Sequence, residues 1–266
     1  MTFTFYLGTN KANWLWGKPS RHPLFVSIRT INRIKSRPIA INDWCCDSGG
    51  FTELSLYDKW VTTPEQYVDD LYSAMSIGRM VWASPQDWMC EPHMLNKTGF
   101  TVEKHQHLTC SNFARLRQLA PDVPIMPVLQ GWEPDDYRRH VDMYGQYGIR
   151  LRDYSTVGLG SFCRRANVNG VRELVIELKA EQLKLHGFGL KKDGLTLFRD
   201  HLVSSDSMAW SFTGRIAGRQ GIHLCGRPHR AKGCGDCWDW AQTWADRVAA
   251  TQQTAHPLLW ETNAYN

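Results

Sequence analysis

Four residues toward the end of the chain have the types and spacing of a metal site: Cys225, His229, Cys234 and Cys237. Three thiolates and an imidazole within thirteen residues, with a Cys-x-x-Cys turn leading into a helical pattern at Trp238, fill a tetrahedral Zn²⁺ shell and leave no position open for catalysis. A structural zinc of Cys3His type is therefore expected. His229 closes the compact knuckle, and His256 and His223 are the alternatives for the fourth ligand. A second constellation consists of three carboxylates, Asp47, Asp87 and Asp206, each following a short apolar run. Carboxylates placed in unlike environments divide into nucleophile, acid/base and recognition roles, as they do in glycosyl transfer through an oxocarbenium-like transition state. The tips Gly158-Leu159-Gly160-Ser161 and His186-Gly187-Phe188-Gly189 are glycine-rich, which lets backbone approach a ligand closely. Two tracts carry basic residues and no acidic ones: residues 18–37, and residues 215–232 with Arg215, Arg219, Arg227, Arg230 and Lys232. They suit a polyanion. The plainer readings are that Asp and Gly at strand ends form turns and that the basic tracts are solvated faces.

These side chains need a scaffold that brings strand ends together. Runs that read as buried strands occur at 4–7, 40–46, 80–83, 125–129, 156–159, 183–188, 201–204 and 221–224. Helical periodicity with start signals covers 64–77, 102–119, 134–147, 171–179 and 238–249, with Pro64 and Pro134 in first turns where a missing N–H costs nothing. Eight such units in 266 residues give about 33 residues each, the size of a βα repeat, and predict an α/β protein of the (β/α)8 TIM barrel type. A doubly wound open sheet is the second choice. One domain over residues 1–266 is expected, with a zinc-binding segment at 223–256. In a barrel the C-terminal strand ends converge, so Asp47, Asp87 and Asp206 would face one another across its mouth. With 42% hydrophobic and 21% charged residues the chain is neither disordered nor fibrous. No apolar run approaches the roughly 18 residues of a membrane span, and the first residues lack a secretory pattern. No membrane partner and a cytoplasmic location are expected, and eight cysteines then read as thiols or ligands. The net charge of +5 permits an anionic partner without demanding one.

Seven segments carry a resemblance in order along the chain. They are FYLGT at 5–9, PLFVS at 23–27, DSGGFTELSLY at 47–57, PQDWMCEP at 85–92, PVLQGW at 127–132, VGLGSFCRR at 157–165 and DSMAWS at 206–211. Together with His186-Gly187-Phe188-Gly189 they resemble the guanine transglycosylase superfamily, zinc-containing barrels that exchange guanine for a 7-deazaguanine. The likeness is closest to the phage and bacterial branch acting on DNA, the DpdA family. It implies a ping-pong exchange in which Asp206 attacks C1′ and holds the sugar as an ester. Asp47 would act as general acid/base. Phe51 and His186 would sandwich the base, with stacking on the order of 1–3 kcal/mol. Asp87 and Gln130 would read its edge, and Gly158, Leu159, Gly160 and Gly187 would line it. A carboxylate suits the edge of a 2-amino-lactam because it accepts two N–H bonds. DNA and a 7-deazaguanine base, 7-cyano-7-deazaguanine as first choice, are the implied partners, and a phage-encoded chain would act in the host cytoplasm. The target base must leave the stack, at a few kcal/mol, and Trp14, Trp16, Trp88, Trp132 and Trp210 are candidate wedges, with core packing the commoner role.

The chain departs from the tRNA enzymes of the superfamily. It lacks the length for an appended RNA-binding domain, has Phe51 after the glycine pair, and continues past Asp206 as Ser207-Met208-Ala209-Trp210. Two further readings stand beside DNA exchange: a tRNA-guanine transglycosylase of reduced size, and a non-catalytic zinc-containing nucleic-acid-binding barrel. Two desolvated carboxylates beside a phosphate backbone serve no purpose in the latter.

Overall fold

The computed structural model describes residues 3–161, 170–229 and 233–251. Arg230, Lys232 and His256 lie outside them, as does the end of the VGLGSFCRR segment. In chain order the first half runs β1 (Thr4–Thr9), α1 (Trp14–Gly17), β2 (Leu24–Ser27), α2 (Ile28–Ile31), β3 (Trp44–Asp47), α3 (Gly50–Tyr57), α4 (Pro64–Met75), β4 (Met80–Ala83), α5 (Pro92–Thr98) and α6 (Val102–Leu119). The second half runs β5 (Val128–Leu129), α7 (Pro134–Gln146), β6 (Val157–Leu159), α8 (Val171–Ala180), β7 (Leu185–Gly187), α9 (Lys192–Phe198), β8 (Ser204–Ser207), α10 (Ala209–Arg219) and α11 (Trp238–Ala249).

The helices start where the sequence supplies caps. Thr63 and Gln66 form a reciprocal capping box ahead of Pro64 in α4, and the Thr101 hydroxyl accepts the Lys104 N–H (3.2 Å) at the start of α6. Asp136 accepts the N–H groups of Trp132 (2.9 Å) and Glu133 (2.8 Å) at the start of α7. The eight strands of the described residues are all parallel, in the order β4-β3-β2-β1-β8-β7-β6-β5. The two ends of this order meet through one bridge, Ala83 with Ile125, carried by Ala83 N–H to Pro124 O (2.9 Å) and Met126 N–H to Ala83 O (3.0 Å). The sheet is thus an eight-stranded parallel sheet curled into a near-barrel, with a seam between β4 and β5.

Seven of the eight predicted strand positions fall on or against observed strands, and one does not. Residues 221–224 form no strand: they are the turn that ends α10, with Gly221 at φ +72° and Ile222 N–H bonded to Ala217 O (2.9 Å). The eighth strand is β2, inside the first basic tract and next to Pro23.

Period-two alternation sorts each strand into two faces. Phe5, Leu7, Leu24, Val26 and Leu159 face outward into the helices, forming the main apolar core. Tyr6, Phe25, Cys45, Trp82, Met126 and Val128 face inward, with Phe188 packed on them. One position further along, the same inward face presents polar groups, and so the interior is apolar in its middle and polar at its C-terminal mouth.

The Cys/His segment grips α10 at van der Waals limits. A Cβ on Gly214 would lie 2.5 Å from the carbonyl carbon of Cys234, and one on Gly233 would lie 2.5 Å from Cα of Gly218. Gly214→Ala is therefore expected to destabilise by about 2–3 kcal/mol. Gly145→Ala, in α7 with nothing within 4 Å of its added carbon, should be neutral or stabilising by up to about 1 kcal/mol. Urea denaturation of both variants checks the contrast, and equal effects would deny the close approach.

Candidate active site

The inward, C-terminal positions of the strands bring together Ser27, Asp47, Gln130, Gly160, Phe188 and Asp206, with Asp87 arriving on the segment after β4. The three predicted carboxylates are thereby assembled at one mouth, in three different settings.

Asp206 is 7% exposed. Its Oδ1 accepts the Gly189 N–H (3.0 Å) and lies 3.3 Å from His186 Nε2. Asp47 has burial as its main perturbation, joined by the nearby charge of Asp206; against these, the Gly49 N–H and the Ser27 hydroxyl donate to it. The balance leaves its carboxyl pushed up to about 6. Asp87 is pushed up to about 7, again chiefly by burial, opposed by a bond from Gln130 and reinforced by the charge of Asp47. That bond is short, Gln130 Nε2 to Asp87 Oδ2 at 2.5 Å.

Gln130 is itself tightly set. Its Oε1 accepts the Ser161 hydroxyl (2.8 Å) and its backbone N–H donates to His140 Nδ1 (2.8 Å). His140 is fully buried and pushed down to about 3 by that burial, so it stays neutral and able to accept. The Gln130 amide lies directly against Gly160, where any side chain would overlap it. Gly49, in the left-handed region at φ +77°, leaves room for the stem of Arg29, whose guanidinium pairs with the buried Glu53. The two residues of the glycine pair thus shape the loop that carries Asp47: Gly49 by its dihedral, Gly50 by its closeness to Trp60 (2.9 Å from an added Cβ).

Several predicted residues sit differently from expectation. His186 is 0% exposed, its ring enclosed by Trp82 and Phe188 at 4.9 and 4.8 Å, so it presents no face to a ligand in this structure. Phe188, one inward position closer to the mouth and partly buried, is the aromatic between that ring and the opening. Leu159 and Gly187 fall on the outward face, Leu159 in the helix-side core and Gly187 against Leu190. The N–H groups of Gly158 and Gly160 are bonded to Pro127 O and Leu129 O, both at 2.9 Å, and are spent on the sheet. Phe51 is 56% exposed at the rim, 6.4 Å from the His93 ring. Ser161, which the sequence presents only as the end of a glycine-rich tip, holds Gln130 at φ +54°, contacts Glu91 (2.9 Å) and accepts the Cys90 N–H (2.8 Å). Its signal was a polar residue straight after a strand-end glycine.

The basic tracts are partly neutralised. Arg21 pairs with Asp246, Arg29 with Glu53, and Arg227 with Asp239. Arg215 and Arg219 are exposed on α10, and Arg33 and Lys35 follow α2. Since β2 and β8 flank β1, the helices that follow them, α2 and α10, lie in adjoining sectors around the sheet, with Arg219 in the last turn of α10. Of the candidate wedges, Trp14, Trp88 and Trp210 are buried, and Trp16 and Trp132 are half-buried.

Cys225, His229, Cys234 and Cys237 place their ligand atoms within 4.8 Å of one another. Cys225 Sγ lies 2.8 Å from His229 Nε2 and 3.7 Å from Cys234 Sγ. Tetrahedral Zn²⁺ with Zn–S of about 2.3 Å requires S···S of about 3.8 Å, so the set fits such an ion. His223 stands outside the cluster and accepts the His229 backbone N–H (3.4 Å). The cluster anchors the end of β8: Ser211 on α10 donates to Gly235 O (2.7 Å), the Trp240 indole to Trp210 O (3.0 Å), and the Trp210 indole to Gly8 O on β1 (2.8 Å).

The raised carboxyls have a measurable consequence for stability. Asp87 holds its proton to about pH 7 when folded and to about pH 4 when unfolded. The protonated form is favoured by folding, so the associated stability is present below about pH 4 and lost as pH rises to 7. Asp87→Asn escapes that loss and should gain stability relative to the parent between pH 5 and pH 8, reaching on the order of 2 kcal/mol. Urea titrations at the two pH values check it; a pH-independent difference would refute the shift.

Carboxylates gathered over an apolar interior mark the C-terminal mouth of an α/β protein with a curled, half-barrel parallel sheet, the end at which barrel folds carry their ligands. The particular family follows from the sequence: the chain belongs to the family described as DpdA, DeoxyPurine in DNA protein A, whose model matches residues 1–264. That membership points to DNA modification by a transglycosylase-like protein. No curated protein matches the chain. Among solved structures it is similar to one from Coccidioides immitis described as a fructose-1,6-biphosphate aldolase, with TM-score 0.53 and 10% identity over 94% of this chain and 90% of that one. At that identity the likeness concerns the fold alone. Among the described residues no helix is long and apolar enough to cross a membrane.

Proposed function

We propose that this protein exchanges guanine in DNA for a 7-deazaguanine base, 7-cyano-7-deazaguanine first among them, through a covalent ester between Asp206 and the sugar. The observation that carries the reading is the unlike setting of two neighbouring carboxylates. Asp206 has one oxygen anchored by an N–H, while Asp47 is pushed up to about 6, where it can give and take a proton near neutrality. In the first half-reaction a lone pair of Asp206 forms the bond to C1′, the bond from C1′ to N9 breaks, and N9 takes the proton of Asp47. In the second, the incoming base gives its N9 proton to Asp47 and displaces the ester, returning the electron pair to Asp206. Asp87, oriented by Gln130, reads the edge of the base, and the base stacks between Phe51 at the rim and Phe188 below, the latter taking the place first given to His186. Arg215, Arg219, Arg33 and Lys35 hold the backbone of a strand whose target base is flipped out. The curled sheet works as a complete (β/α)8 barrel, closed across the β4/β5 seam, and the Cys/His cluster holds a structural Zn²⁺ that supplies rigidity and no chemistry.

The reading is tested by co-expression with a source of 7-deazaguanine precursors, followed by mass spectrometry of nucleosides from DNA and from tRNA of the same cells. A 7-deaza-2′-deoxyguanosine is expected in the DNA. Modified ribonucleosides alone would move the activity to tRNA, and neither product from folded, metal-loaded protein would leave a binding barrel.

A further inference from the structure

We infer that His186 is a positioning residue that decides which oxygen of Asp206 reacts, anchoring Oδ1 and leaving Oδ2 to form the bond to C1′. This rests on the exchange reaction proposed above and adds to it a residue role and a reacting atom.

The sheet itself delivers the imidazole. In the β7/β8 ladder His186 is the partner of Ser204, and Ser204 stands two residues before Asp206, so the alternation of β8 puts both on the inward face beside the ring. His186 Nδ1 lies 2.9 Å from Ser204 Oγ and Nε2 lies 3.3 Å from Asp206 Oδ1. With the serine hydroxyl donating to Nδ1, the ring proton sits on Nε2 and is donated to Oδ1. The Gly189 N–H donates to the same oxygen at 3.0 Å. Oδ1 therefore carries two donors, both from the β7 end, and Oδ2 is the oxygen left for the mouth. The ring cannot swing away to stack on a ligand: Trp82 and Phe188 meet it edge-on at 4.9 and 4.8 Å, Tyr6 and Phe25 at 6.0 and 6.2 Å, and it is fully buried. The Tyr6 hydroxyl and the Cys45 thiol, the titratable groups below, are both pushed up by burial and stay neutral, leaving Asp47 as the other charge-bearing group nearby among the described residues.

In the ester, Oδ1 becomes the carbonyl oxygen and keeps both donors, which polarise it. When the incoming base displaces the ester, the bond between C1′ and Oδ2 breaks, its electron pair returns to the carboxylate, and the same two donors stabilise the charge that develops. Removing the imidazole should thus slow the second half-reaction most, and the glycosylated protein should accumulate.

The test uses the full chain with oligonucleotide DNA and free base, following exchange by base incorporation and the adduct by intact mass. His186→Leu is expected to lower kcat about 100-fold, the scale for losing a donor to developing negative charge, with KM for the base within about threefold. His186→Gln, whose amide can still donate to Oδ1, should recover to within about tenfold of the parent, and Ser204→Ala, which releases the tautomer, should lose about tenfold. Melting temperature and metal content confirm that each variant is folded. An unchanged kcat in His186→Leu, or a raised KM with kcat intact, would overturn the inference, the second result assigning His186 to the base. Parent protein that neither exchanges nor forms an adduct would instead remove the exchange reading, and this inference with it.

Discussion

Asp206→Asn is expected to abolish base exchange, by at least about 10⁴-fold, and to leave no glycosylated protein in the mass spectrum. An amide oxygen is a poor nucleophile, and the neighbouring carboxylate, Asp47 at the end of β3, is engaged by the Ser27 hydroxyl and the Gly49 N–H. Asp47→Asn should behave differently. It retains the proposed nucleophile and loses the proposed proton carrier, so both half-reactions should slow by about 10²–10⁴-fold while some adduct still forms from substrates with better leaving bases. In the proposed exchange Asp47 is protonated for guanine to leave and ionised for the new base to enter, so the parent should lose activity below about pH 6 or above it according to which half-reaction limits. Incorporation assays with the parent and the two variants over pH 5 to 8 check both statements. Measurable exchange by Asp206→Asn would remove that residue from the role of nucleophile.

The second large effect concerns the Cys/His cluster. Chelation of the bound metal, or Cys234→Ala, is expected to lower the melting temperature by about 10 °C, equivalent to several kcal/mol in a protein of this size. Without an ion, the cluster becomes three thiols and an imidazole crowded within 4.8 Å, with little to hold them there. The loosening would not stay local. Gly214 and Gly218 on α10 are packed against Gly233 and Cys234, and Trp210 on the same helix bonds to the carbonyl of Gly8. Activity should fall together with stability and return on adding Zn²⁺, with Mg²⁺ ineffective against a thiolate set. Thermal melts with elemental analysis check it; unchanged melting after complete metal removal would separate the cluster from the fold.

Much of this arrangement is legible in the residues alone, and the exceptions have physical causes. Five long helices are marked by Pro64 and Pro134 and by their apolar spacing, and their observed limits agree closely with expectation. Helix α10 is not marked, because it carries Gly214 and Gly218, four apart on one face, where closeness to the knuckle outweighs helical propensity. Strand β2 is hidden by the proline and basic residues around it. Within the site, the strand-end rule places Asp47, Gln130 and Asp206 correctly at the mouth. It does not say which of two consecutive residues faces inward. That choice is set by register, and a phase of one residue separates His186 and Phe188 on the inner face from Gly187 on the outer, as it does Gly158 and Gly160 from Leu159. The burial of His186 is likewise a product of depth along the strand, which composition does not encode.

The seam between β4 and β5 gives the mouth a preferred place to breathe. Every other neighbouring pair shares a ladder, whereas Ala83 and Ile125 form one bridge, so local opening there disturbs the fewest hydrogen bonds. Asp87 follows one side of that seam and Gln130 the other. Opening stretches the very bond that aims Asp87, so the carboxyl proposed to read the base is coupled to the least cooperative joint of the sheet, and a base with the matching edge, by bridging both sides, would act as a clamp across it.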